Sequence, residues 1–79
     1  MSSPFEKRVR EELVRARQGH TPIASLHEGY AVILEEVDEL KAEAWKKRKD
    51  RDLDNTLTEL VQIATMARRV AEDLGLIGL

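Results

Sequence analysis

The chain has 79 residues, of which 42% are apolar and 35% charged, with a formal net charge of −2. That length holds one domain, and the composition is that of a foldable chain rather than a disordered one. Cysteine is absent, which excludes disulfides and thiolate metal sites. A chain this short buries only roughly 60% of its unfolded surface, so self-association is the stabiliser left to it. No apolar run approaches a membrane span, and Met1-Ser2-Ser3-Pro4 followed by charges lacks the apolar segment of a secretory signal. The expectations are a cytoplasmic protein, no membrane partner and, from the acidic balance, no nucleic-acid partner.

Three segments have helical periodicity and none has the alternation of a half-buried strand, so an all-α fold is expected. The first helix is predicted over residues 4–17, with Pro4 in its first turn, Phe5, Val9, Leu13 and Ala16 on one face, and Gly19 ending it. The second has two candidate starts: Thr21 as N-cap before Pro22, or Ser25 as N-cap with Glu28 three residues on. Thr21 is preferred, because Ile23 then joins the apolar line Leu26, Tyr30, Ile33, Leu34, Val37, Leu40 and Ala44, expected to face one partner. This helix should end near Lys49, with Lys46 to Lys49 close to the negative end of its dipole. Asp50, Asp52 and Asp54 then offer caps and first-turn acids to a third helix over about 52–74, stopped by Gly75.

The short connection requires the second and third helices to pack antiparallel. On the third, Leu53, Leu57, Leu60, Val61, Ala64, Ala67, Ala71 and Leu74 form the expected main face, with Ile63, Met66 and Val70 as a second strip. The surplus apolar surface implies a second copy completing a helical bundle, as a homodimer or homotetramer.

Charge is segregated along the chain. Glu35, Glu36, Asp38, Glu39 and Glu43 run directly into Lys46, Lys47, Arg48, Lys49 and Arg51. At helical spacing Glu36, Glu39 and Glu43 fall within a sector of about 60° beside the apolar stripe, overlooking the groove between helices. Glu59, in line with Gln62 on the third helix, can stand opposite Glu36 and Glu39. Carboxylates gathered in a partly desolvated groove repel one another unless a hard divalent cation neutralises them, and Mg²⁺ is the leading candidate. The alternative from spacing alone is a solvated acidic face with intrahelical Glu–Lys pairs.

The pattern Glu35-Glu36-x-x-Glu39-Leu40, followed by Glu59-Leu60, resembles the all-α nucleotide pyrophosphohydrolases of MazG type. His27-Glu28-Gly29-Tyr30 resembles short members from phage and bacteria, and the resemblance spans roughly residues 21–74. It implies a homo-oligomeric enzyme that hydrolyses nucleoside triphosphates, non-canonical ones among them, to monophosphates and pyrophosphate. It further implies Glu36, Glu39 and Glu59 as Mg²⁺ ligands. Gln62 stands where the family carries aspartate; it offers a carbonyl oxygen but no charge, with Asp54 or Glu35 nearby to compensate. Glu35 is the candidate base. Longer members carry a further helix with nucleotide contacts, for which Lys46, Lys47, Arg48, Arg68 and Arg69, or a second subunit, are the candidates here.

His27-Glu28 lacks the second histidine of a zinc-protease helix, since Ala31 stands there. His20 and His27 are expected to make local hydrogen bonds, Trp45 to lie at a subunit interface, and Tyr30 to pack. Neither a Ser–His–Asp arrangement nor a Gly-rich phosphate loop is found. The competing reading, favoured by Gln62, is a non-catalytic helical module that oligomerises or binds another protein.

Overall fold

The computed structural model describes residues 3–78. Three α-helices, α1 (Pro4–Gly19), α2 (Leu26–Ala44) and α3 (Leu53–Asp73), make up the fold, with a 3-10 turn at Arg48–Asp50 and no strand among the described residues. None of these helices is long and apolar enough to cross a membrane.

Local chemistry fixes each boundary. The Ser3 side chain accepts from the Glu6 N–H at 3.1 Å and the Glu6 carboxylate returns to the Ser3 N–H, a capping box that starts α1 with Pro4 in its first turn. Helix α2 starts at Ser25 and not at the preferred Thr21. Ser25 Oγ accepts from the Glu28 N–H, and Glu28 closes on the Ala24 N–H. Thr21 and Ile23 are unavailable to a helix because they are held by α3: the Thr21 carbonyl accepts from Arg69 at 2.8 Å, and the Ile23 N–H donates to Asp73 at 2.9 Å.

The other end of α2 also differs from expectation, stopping at Ala44 rather than near Lys49. Arg51 donates to the Ala44 carbonyl at 2.8 Å and Glu43 accepts from the Asp52 N–H at 2.7 Å, so the reversal is pinned at both sides. Lys46 to Lys49 therefore lie in the connection, outside the helix whose dipole they were expected to face. Asp52 caps α3 by accepting from the Asp54 and Asn55 N–H groups, as the sequence implies. At its far end Gly75 adopts φ 71°, while Leu76 and Gly75 donate to the Ala71 and Glu72 carbonyls. This Schellman arrangement requires the left-handed conformation that glycine adopts without a Cβ penalty.

Helix α3 is the central element. Contacts of Gly29 with Val70 and of Glu43 with Asn55 show α2 running antiparallel to it. Arg8 with Thr58, Glu12 with Gln62 and Arg17 with Asp73 show α1 running parallel to it. Helices α1 and α2 do not pack on each other. The core is Val9 and Leu13 of α1, Ile23 of the connection, and Val61, Met66 and Val70 of α3. Thr65 is fully buried, its hydroxyl satisfied by the Val61 carbonyl at 2.7 Å.

Both expected apolar faces are corrected in part by this packing, since Ile33 and Leu40 of the α2 line are half-buried and Val61 of the α3 main face is buried as expected, but other members face outward. Leu26 and Tyr30 are 66% and 64% exposed, and Leu34 and Val37 also face outward. A Cβ on Gly29 would stand 2.7 Å from Val70 Cγ1, so only glycine allows the close crossing seen here. That crossing turns the Gly29, Ile33, Glu36, Leu40 and Glu43 face of α2 inward. On α3 the strip through Met66 and Val70 is buried, whereas Leu53, Leu57 and Leu60 of the expected main face are exposed.

Candidate metal centre and adjoining cleft

Glu36 and Glu39 lie one turn apart on α2, and the antiparallel register places Glu59 of α3 against them. One carboxylate oxygen from each residue lies within 4.8 Å of those from the other two. Oε2 of Glu59 is buried and has no hydrogen-bond partner among the described residues. Burial, with repulsion from Glu39, pushes the Glu36 carboxyl up to about 7. Burial and the facing Glu39 likewise raise Glu59. Three clustered carboxyl groups, two of them raised and one with a buried oxygen that lacks a partner among the described residues, form an oxygen donor set suited to a hard cation such as Mg²⁺.

Glu43, the third acid of the sector read from the sequence, has another role. Its buried carboxylate meets Lys46 at 2.6 Å and the Asp52 N–H, and these hold it below the usual carboxylate range. It is a structural anchor for the α2–α3 reversal.

A cleft of about 540 Å³ opens between α1 and α2 with α3 as its floor; Glu12, Arg15, Glu35, Glu36, Gln62 and Arg69 are among its lining residues. Glu36 thus belongs to both the carboxylate trio and the cleft wall. Gln62 Nε2 donates to Oε2 of Glu12 at 2.9 Å. Glu12 also pairs with Arg15, which, with the Gln62 contact, outweighs desolvation and lowers its carboxyl below the usual range.

The remaining candidates lie elsewhere. Lys46 is paired with Glu43, Lys47 precedes the 3-10 turn, and Arg68 pairs with Glu72 at 2.9 Å; none of the three lines the cleft. Trp45 is exposed at the end of α2 with the Lys41 ammonium 5.8 Å from its ring. The α1 residues Glu12 and Arg15 were not singled out from the sequence. Their i, i+3 spacing could have flagged an ion pair, but nothing local signals a partner on α3.

A second group of acids sits near the C-terminal end of α3. Arg17 bridges Glu72 at 2.7 Å and Asp73 at 2.6 Å, and Arg69 lies 3.7 Å from Asp73. Burial opposes ionisation of Asp73, but the Ile23 N–H and Arg17 outweigh it and its carboxyl is lowered. Glu72 is lowered by Arg68 and Arg17. Comparison with protein-family models, curated proteins and solved structures finds no match for this chain.

Proposed function

We propose that the chain is a Mg²⁺-dependent nucleoside triphosphate pyrophosphohydrolase of MazG-like type, working as a homo-oligomer. The observation that carries this reading is the convergence of Glu36, Glu39 and Glu59 with the unpartnered Oε2 of Glu59. These three would hold the ion, with Gln62 as a neutral fourth donor. When bound, Mg²⁺ supplies positive charge to phosphate oxygens and lowers the pKa of water. Glu35, on the cleft wall beside Glu36, takes the proton of the attacking water. The water oxygen bonds to the α-phosphorus, the bond from that phosphorus to the bridging oxygen breaks, and pyrophosphate leaves. Arg15, exposed although paired with Glu12, is the cleft cation that phosphate would draw on.

Pyrophosphate release from a panel of canonical and modified nucleoside triphosphates with Mg²⁺, wild type against Glu36→Gln, tests the reaction. Release by the wild type and its loss in the variant are expected; no release from any nucleotide, or equal release by both, rejects it. The exposed Leu26, Tyr30, Leu34, Val37, Leu53, Leu57 and Leu60 support assembly with a second copy. Sedimentation should find an oligomer that Tyr30→Glu dissociates, and a wild-type monomer at micromolar concentration would reject that part.

The exposed face equally favours the non-catalytic alternative, in which the acids have no ligand. Calorimetric titration separates the two, since the alternative expects no saturable Mg²⁺ site of millimolar affinity or better.

A further inference from the structure

Gln62 stands where the resemblance implies aspartate, and its surroundings give the exchange a physical meaning. Its Nε2 lies 2.9 Å from Oε2 of Glu12, a residue of α1 and outside the segment that carries the resemblance. An ionised carboxylate only accepts hydrogen bonds, so this contact decides which end of the carboxamide faces α1. The nitrogen is committed to Glu12, which leaves Oε1 as the end turned away from that contact. Gln62 follows Glu59 by one turn of α3 and lines the same cleft as Glu36. A carboxamide able to flip would present N–H groups to a cation for part of the time; one held by its nitrogen presents oxygen. An aspartate at this position would instead bring a second carboxylate toward Glu12, a like-charge contact that the carboxamide converts into a hydrogen bond.

We infer that Glu12 is a positioning residue for the metal centre, fixing the Gln62 carboxamide so that its oxygen serves as a neutral ligand beside Glu36 and Glu59. The inference rests on the reading of the carboxylate trio as a divalent-cation site, and it brings α1 into that site through Gln62. Partners of this kind orient a ligand without touching the ion, and their removal typically weakens metal binding by about 10–100-fold.

The test is a Mn²⁺ titration of the metal-free protein, followed by electron paramagnetic resonance, for wild type, Glu12→Ala, Glu12→Asp and Glu12→Gln. The side-chain amide resonances of Gln62 are recorded in each. Glu12→Ala is expected to bind Mn²⁺ about 10-fold more weakly and to shift the Gln62 amide signals. Glu12→Asp keeps the charge but falls short of Nε2, so it should lose nearly as much; it also reads the contact should Glu12→Ala fail to fold. Glu12→Gln accepts from Nε2 through its own carbonyl and should bind within about 3-fold of wild type. If Glu12→Ala or Glu12→Asp binds Mn²⁺ as tightly as wild type, or Glu12→Gln loses as much as they do, the positioning role is overturned while the metal centre stands. If the wild type has no saturable Mn²⁺ site, the metal centre itself fails and this role with it.

Discussion

Two carboxylate groups on α3, almost four helical turns apart, treat charge in opposite ways. At the C-terminal end Glu72 and Asp73 meet Arg17, Arg68 and Arg69, and both are lowered. Toward the N-terminal end Glu59 meets Glu36 and Glu39; Glu59 and Glu36 are raised, and one buried oxygen has no partner. The residue types are the same, so the difference lies in whether the fold supplies the counter-charge. Where it does, the acids tie α1 and the α1–α2 connection to α3. Where it does not, the missing positive charge is what an external cation would bring.

The largest effect should come from breaking the completed group. Asp73→Ala removes the acceptor of the Ile23 N–H and of Arg17 and leaves the buried Arg69 held by the Thr21 carbonyl but without its carboxylate, so a loss of about 3 kcal/mol is expected in urea denaturation. Glu36→Gln should act with the opposite sign on stability. At pH 8 and without metal it relieves repulsion within the trio and gains about 1 kcal/mol, or about 4–8 °C in melting temperature, while Mg²⁺ affinity in calorimetry falls at least about 10-fold. A variant that melts lower than wild type under those conditions would contradict the contrast.

The pH dependence of melting separates the two groups without a mutation. Glu72 and Asp73 are lowered, so their contribution is present above the unfolded carboxylate range near about 4 and is lost as pH falls through their folded values. Glu36 is raised to about 7, so its contribution is full below about 4 and is lost as pH rises through about 7. Metal-free protein should therefore melt highest at about pH 4 and fall away on both sides, and Mg²⁺ should restore the alkaline limb alone. The smallest effect is expected for Arg68→Ala, at about 0.5 kcal/mol or less, because this helix-surface pair is partly exposed and Glu72 keeps Arg17.

Signals acting within one turn of chain were legible in the sequence: Pro4 in the first turn of α1, Asp52 at the start of α3 and Gly75 at its end. The grouping of Glu36 and Glu39 with Glu59 was legible for a related reason, since a short connection fixes antiparallel register. The inward face of α2 was legible only in Ile33 and Leu40. An apolar count favours Leu26, Tyr30, Leu34 and Val37, whereas the face that packs is chosen by Gly29, whose contribution is the absence of a side chain. Thr21 was preferred over Ser25 because Ile23 then joined the apolar line; what keeps Thr21 and Ile23 outside the helix are bonds to Arg69 and Asp73, far along the chain. The same distance hid the pairing of Glu12 with Gln62.

Because α1 and α2 each rest on α3 and not on one another, the molecule can open in parts. The α2–α3 hairpin closes over a short connection, whereas the hydrogen bonds that dock α1 on α3 join residues about 50 positions apart. Helix α1 is thus the last element to dock in folding and the first to leave in a partial opening that spares the hairpin. Amide exchange should register this as weaker protection of Val9 and Leu13 than of Val61 and Val70. Each such opening also withdraws Glu12 from Gln62, which couples the motion of α1 to the donor set at the carboxylates.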